Sequence, residues 1–229
     1  QTYQANFGEY PVCDDIRNVP AHYVPDHDIL FAGFPCNSFS KFGVASRTRN
    51  NKGSGLECER YGGLIWDVLR IADEKRPKVM LLENVKNIVF HNNGKTMEEI
   101  VGAFEDIGYS FTWRIINAFP YVPQNRYRTF MVGVDTSRTG TFVMRYPRPP
   151  KQHPTLGDIR ERDPRNIPDR AYLSDGLWNY LNSATRKKHK NGGGFRHSIC
   201  DDNEVTNTLC ARYHSDGREI LIMDYKKNP

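Results

Sequence analysis

Two short apolar runs set most of what this chain can become. Ile29-Leu30-Phe31-Ala32 follows Asp28 and stops at Gly33-Phe34-Pro35, and Val79-Met80-Leu81-Leu82 follows Lys78 and stops at Glu83-Asn84. A strand with one wet face alternates apolar and polar residues, whereas an unbroken run reads as a strand covered on both faces, as in a parallel sheet. Between the runs, the stretch from Gly63 to Lys75 places Leu64, Ile65, Val68, Leu69 and Ala72 on one helical face. The order is therefore strand, helix, strand, the crossover that a parallel pair requires. Further on, Thr96-Met97-Glu98-Glu99 has the form of a capping box. The helix it would open turns Ile100, Val101, Phe104 and Ile107 inward and ends at Gly108. Tyr109 to Ala118 and Arg128 to Val134 read as two more strands, antiparallel partners. This is the pattern of an α/β domain, whose chemistry belongs at the carboxyl ends of its strands.

With 229 residues the chain can hold one good-sized domain and a smaller one. Pro147, Pro149, Pro150 and Pro154 crowd together just after Tyr146, which divides the chain into residues 1–146 and 147–229. In the second part a helix is expected from Ser174 through Lys187, a glycine-rich loop at Asn191 to Gly194, and a strand around Glu219 to Met223. The five cysteines are irregularly spaced and include no C-x-x-C pair, which argues against a disulfide framework and a structural zinc site. Free thiols in a reducing cytoplasm are the expectation. No apolar run approaches the roughly 20 residues of a membrane helix. The net charge of +5 suits a polyanionic partner without demanding one.

Three sets of residues could carry chemistry. Cys36 lies on the loop after the first strand, where a nucleophile could reach a ligand, although a lone cysteine is more often a small core hydrophobe. Glu83 closes the second apolar run, so it is expected to be partly desolvated and inclined to hold a proton, unless it caps a loop. Arg126 and Arg128, one residue apart in an extended segment, would present two guanidinium groups on one face to an anion.

In order along the chain, Phe34-Pro35-Cys36-Asn37-Ser38-Phe39-Ser40, Leu82-Glu83-Asn84-Val85-Lys86-Asn87 and Pro123-Gln124-Asn125-Arg126-Tyr127-Arg128 resemble three signature motifs of the cytosine-C5 DNA methyltransferases. The stretches between them resemble the HhaI branch of that family. A nucleophile, an acid and an arginine motif, each at a strand end, form a constellation of roles rather than a chance match. The resemblance implies a Rossmann-like methyltransferase sheet, S-adenosyl-L-methionine as methyl donor, and a cytosine flipped out of duplex DNA. It implies that Cys36 adds to C6 of the base, that Glu83 holds or protonates N3, and that Arg126 and Arg128 bind the O2 side and a nearby phosphate. Asp15 and Ile16 are similar to the family's adenine-contacting pair, and Pro35 and Leu64 match positions lining the same pocket.

Thr155–Ile159, Leu177–Leu181, Asn191–Phe195 and Thr208–Tyr213 resemble the target-recognition region of Dcm-type and EcoRII-type enzymes, which implies a short palindrome of the CC-GG type. On that likeness Ser38, Phe195, Arg196, Thr208 and Arg212 are the expected DNA contacts, and the setting is a bacterial or phage restriction–modification system. The polar loop from Lys41 to Tyr61 would be a lid, and Lys187, Lys188, His189 and Lys190 either a solvated helix end or a phosphate-attracting patch. Two departures stand out. Asn37 replaces the family's usual glutamine. The chain also starts after the family's first strand and stops before its last motifs, which leaves an incomplete sheet and three expectations: a piece of a longer enzyme, a half completed by another polypeptide, or an incomplete record. The competing functions are a tRNA cytosine-C5 methyltransferase, whose Cys-Phe-Thr signature is missing, and a non-catalytic DNA-binding subunit.

Overall fold

The structure, a computed structural model, describes residues 2–12, 14–35, 63–140, 142, 144–146, 148–181, 198–209 and 220–222. The chain divides into two compact units, Gln1–Ile116 with Arg128–Tyr146, and Asn117–Tyr127 with Pro147–Pro229.

The first unit is built on four strands, β1 (Ile29–Gly33), β2 (Val79–Val85), β3 (Tyr109–Asn117) and β4 (Tyr127–Asp135), in the order β1-β2-β4-β3. The terminal residues of β3 and β4, Asn117 and Tyr127, fall in the second unit. β1 and β2 pair in parallel from Ile29↔Val79 to Gly33↔Glu83, and β2 pairs antiparallel with β4 from Val79↔Val134 to Val85↔Arg128. The mixed α/β character expected from the sequence is present.

Helix α1 (Thr2–Phe7) is short. Helices α2 (Leu64–Lys75) and α3 (Lys95–Asp106) supply most of the packing against the sheet. α2 buries Ile65, Val68, Ile71 and Ala72, while Leu64 and Leu69 are only half-buried. Its end is set by Arg76, which turns left-handed at φ 50° and gives its N–H to the Ala72 carbonyl at 2.9 Å, ahead of Pro77. α3 buries Met97, Ile100 and Phe104, and Phe104 stacks on Phe111 of β3 at 4.6 Å between centroids. Met80, Leu82 and Met131 are fully buried in the same cluster. Each such side chain contributes about 1.5–3 kcal/mol by leaving water.

Two expectations need correction. Thr96 does not cap α3, because the cap position is taken by Gly94 at φ 91°, following Asn92 and Asn93 at φ 50° and 55°. The Thr96 hydroxyl is buried inside the first turn, 2.8 Å from His91 Nδ1. Among the described residues β1 is covered on one face only. It lies at the sheet edge, with Leu30 and Ala32 against the core while Ile29 and Phe31 are 52% and 68% exposed.

In the second unit α4 (Leu156–Ile159) is opened by a capping box between Thr155 and Asp158. It docks on 202–204 through Leu156 N–H to the Glu204 carbonyl at 2.9 Å and Gly157 N–H to the Asp202 carbonyl at 2.7 Å. Residues 175–181 are helical, and the remainder of the helix expected to Lys187 lies outside the described residues. β5 (Ser198–Cys200) and β6 (Ile220–Ile222) pair in parallel, so the expected strand near Glu219 is observed as β6. Among the described residues no helix is long and apolar enough to cross a membrane.

Candidate active site at the strand ends

The parallel register brings the carboxyl ends of β1 and β2 together. Gly33 lies opposite Glu83, with Glu83 Oε2 3.6 Å from where a β-carbon on Gly33 would stand. One residue on, the buried Asn84 amide donates to the Phe34 carbonyl at 3.1 Å, and its side-chain oxygen accepts the Val85 N–H at 2.9 Å. An asparagine satisfied at both ends inside a core fixes the backbone it touches. Here it fixes the strand end that leads through the half-buried Pro35 into Cys36. Cys36 lies outside the described residues, as do Ser38, Phe195, Arg196, Arg212, the loop from Lys41 to Tyr61, the basic run Lys187–Lys190 and the glycine-rich stretch Asn191–Gly194.

Glu83, expected to be partly desolvated or to cap a loop, is half-buried and paired. Arg128 Nε lies 2.7 Å from Glu83 Oε1, with the two side chains 19% and 39% exposed. The pairing follows from the register. Val85 faces Arg128 and Glu83 faces Phe130, so acid and base are diagonal neighbours on one face of the antiparallel β2–β4 pair. The buried Thr129, opposite Asn84, donates its hydroxyl to the Val85 carbonyl at 3.4 Å and holds the two strands in that register. A half-buried carboxylate bearing a guanidinium Nε at hydrogen-bond distance is a charge-assisted pair, shorter and stronger than a neutral hydrogen bond.

Arg126 belongs to the second unit and Arg128 to the first. Arg126 is anchored by its main chain. Its N–H donates to Asn117 Oδ1 at 2.9 Å, and its carbonyl accepts the Ala118 N–H at 3.1 Å. Asn117, which sequence reasoning passed over, also accepts the Phe119 N–H at 3.2 Å and donates to Asn125 Oδ1 at 3.1 Å. Its position as the last residue of β3, ahead of a proline-rich turn, was the one available signal.

At the expected cofactor position, Asp15 caps the 3-10 turn Ile16–Asn18 and accepts from the Arg17 N–H at 3.1 Å and from Arg17 Nε at 2.9 Å. The Arg17 side-chain hydrogen bonds hold the Asp15 carboxyl down to about 2. A carboxylate offers about four acceptor positions, and Arg17 takes three, Nη2 on Oδ2 being the third, so one remains for an amine. The segment is tied to α2 by Arg70, whose Nη2 donates to the Ile16 and Val19 carbonyls at 3.0 Å each. Ile16 packs on the core and Leu64 stands half-buried at the start of α2. These residues fit an adenine: one acceptor beside apolar surface.

Thr208 is placed with its hydroxyl donating to the Asn125 carbonyl at 2.5 Å. Its proton is therefore committed, and toward a nucleic acid it keeps only acceptor capacity.

A family model described as C-5 cytosine-specific DNA methylase matches residues 1–228. The chain belongs to this family. Among curated C-5 methylase relatives, the Type II methyltransferase M1.ScrFI of Lactococcus lactis subsp. cremoris is 38% identical over 232 residues, covering 100% of this chain and 56% of the relative. The DNA-cytosine methyltransferase of Escherichia coli K12 is 36% identical over 216 residues, 87% of this chain and 45% of its own length. The chain thus spans about half the length of these relatives. Among solved structures, a DNMT2 mutant from Spodoptera frugiperda superposes with a TM-score of 0.66 at 16% identity, over 98% of this chain and 64% of the other. That likeness is one of fold, the Rossmann-like sheet of the methyltransferases.

Proposed function

We propose that this C-5 methylase chain transfers a methyl group to C5 of a cytosine flipped out of a short duplex DNA site, with Cys36 as the nucleophile. The observation that carries the reading is the Glu83–Arg128 pair, one residue from the Asn84 amide that holds the strand end before Cys36. Family membership and the likeness to curated Type II enzymes supply the substrate class.

Each residue has a task. The Cys36 thiolate adds to C6, forming a carbon–sulfur bond and pushing electron density onto the ring. On base entry Arg128 moves from Glu83 to the O2 side of the base. Glu83 then relays a proton from solvent to N3, which stabilises the enamine. Arg126 holds the adjoining phosphate. When bound, S-adenosyl-L-methionine supplies the electrophilic methyl group that C5 accepts, and Asp15, Ile16, Pro35 and Leu64 are the residues proposed to hold its adenosine end. The C5 proton then leaves to solvent, the N3 proton returns through Glu83 to solvent, and Cys36 departs as thiolate. Ser38, Phe195, Arg196, Thr208 and Arg212 are proposed to contact the duplex, and residues 147–229 to form its recognition domain.

Trapping decides the matter. Duplex DNA carrying 5-fluorocytosine lacks the removable C5 proton, so the full-length protein with S-adenosyl-L-methionine should accumulate a denaturant-resistant complex that Cys36→Ser abolishes. A complex formed with tRNA and not with DNA would reassign the substrate. Duplex binding with no complex would leave a DNA-binding protein without this chemistry.

A further inference from the structure

The main chain of Pro123 to Arg126 is held by residues far downstream. Thr206 gives both its N–H and its hydroxyl to the Pro123 carbonyl at 2.9 Å each, and its own carbonyl accepts the Asn125 N–H at 2.8 Å. Thr208 adds its hydroxyl to the Asn125 carbonyl at 2.5 Å. Asn117 in turn takes the Arg126 N–H at 2.9 Å and donates its side-chain amide to Asn125 Oδ1 at 3.1 Å. Thr206 is 8% exposed, so its bonds are shielded from water.

The doubling at Pro123 is the informative detail. A carbonyl oxygen has two lone pairs, and one residue occupies both. A single N–H donor would suffice to keep the segments together as the isolated parallel bridge Gln124↔Thr206. The added hydroxyl fixes the orientation of the peptide plane that leads toward Arg126. Thr208 opens a stretch that resembles a target-recognition motif and Thr206 stands two residues before it, so this downstream segment, together with Asn117 and Ala118 at the end of β3, holds the main chain from which Arg126 starts.

We infer that Thr206, beside the recognition segment, is a positioning residue that sets Arg126 for the target nucleotide by holding Pro123 and Asn125, so that reading the DNA site and placing Arg126 are coupled. The inference rests on the reading of Arg126 as a substrate-binding residue. Its consequence is that the Thr206 hydroxyl acts on the rate of methyl transfer and on discrimination, not on duplex affinity.

The experiment uses the full-length protein with Thr206→Val, Thr206→Ser, Arg126→Lys and the Val/Lys double variant. It compares single-turnover methyl transfer with duplex dissociation constants. Thr206→Val should slow transfer about tenfold, equivalent to about 1.4 kcal/mol. Its dissociation constant should stay within about twofold, since the hydroxyl makes no proposed DNA contact. Thr206→Ser should restore the rate, and the double variant should be no slower than Arg126→Lys, because residues acting through one another are not additive. A parental rate in Thr206→Val, a matching loss of affinity, failure of serine to rescue, or multiplying effects with Arg126→Lys would each overturn the inference. If Thr206→Val does not fold, Thr206→Ala, which removes the same hydroxyl without adding a methyl group, carries the same comparison. A parent protein that never traps 5-fluorocytosine DNA overturns the underlying chemistry and the inference with it. Trapping by the parent with an unslowed Thr206→Val overturns only the role of Thr206.

Discussion

At Glu83 the chemistry and the local structure meet in a single side chain. A carboxylate after four apolar residues suggests an acid partly desolvated, and the structure leaves it half-buried with a guanidinium at 2.7 Å that the sequence did not show. The difference arises because a strand's antiparallel partner is not written into its own sequence. Only the register Val85↔Arg128 makes Arg128 the diagonal neighbour of Glu83. The pairing leads to an expectation for each partner. Glu83→Gln keeps the shape but cannot pass a proton to N3, and methyl transfer should fall by about 10²–10⁴-fold, the range for removing a general acid. Arg128→Lys keeps the charge but loses the planar donor set, so it should retain duplex binding and lose turnover. Single-turnover rates beside dissociation constants read both. A Glu83→Gln protein with parental turnover would remove Glu83 from the reaction. Asn84 was legible only as part of a motif, since its bond to the Phe34 carbonyl spans fifty positions.

The elements themselves were more readable. α2 starts within a residue of its expected position, and the inward set Ile65, Val68 and Ala72 was visible as a 3.6-residue period. Misreadings came where local and tertiary demands compete, as at Gly94, which takes the cap that Thr96 seemed built for. Two substitutions probe the packing. Gly133 lies opposite Met80, and a β-carbon there would meet Met80 Cε at 2.7 Å and Phe111 Cδ2 at 3.0 Å. Gly133→Ala should therefore destabilise the protein by about 1–3 kcal/mol, seen as a lower urea midpoint. Tyr109 carries a pH signature. Burial pushes its phenol up to about 12, while the Arg76 guanidinium over the ring opposes the shift. The hydroxyl donates to the Pro77 carbonyl at 2.8 Å. A folded-state value raised above the unfolded one, about 10, means that the contribution is complete below pH 10 and lost as the pH climbs through 12. Tyr109→Phe should cost about 1–3 kcal/mol at neutral pH by leaving that carbonyl unbonded. It should also flatten the fall in stability between pH 10 and 12, measured by urea unfolding across that range.

For the whole molecule, the break after Tyr146 coincides with the proline cluster, but the transfer of residues 117–127 to the second unit had no local mark. That allegiance rests on contacts such as Thr206 to Pro123, 83 positions apart, which no periodicity encodes. Electrostatics at this scale bears directly on the proposed substrate. A chain with net charge +5 that binds duplex DNA through several phosphates must release counterions as it binds. The logarithm of its association constant should then fall linearly with the logarithm of salt concentration, with a slope of about −0.9 per phosphate neutralised. If Arg126 holds a phosphate and Glu83 and Arg128 engage only the base, Arg126→Gln should reduce that slope by about one unit while Glu83→Gln leaves it unchanged. Titrations of labelled duplex at several salt concentrations separate the two roles. Equal slopes for Arg126→Gln and the parent would move Arg126 off the DNA backbone, and a flat parental line would count against duplex DNA as the partner at all.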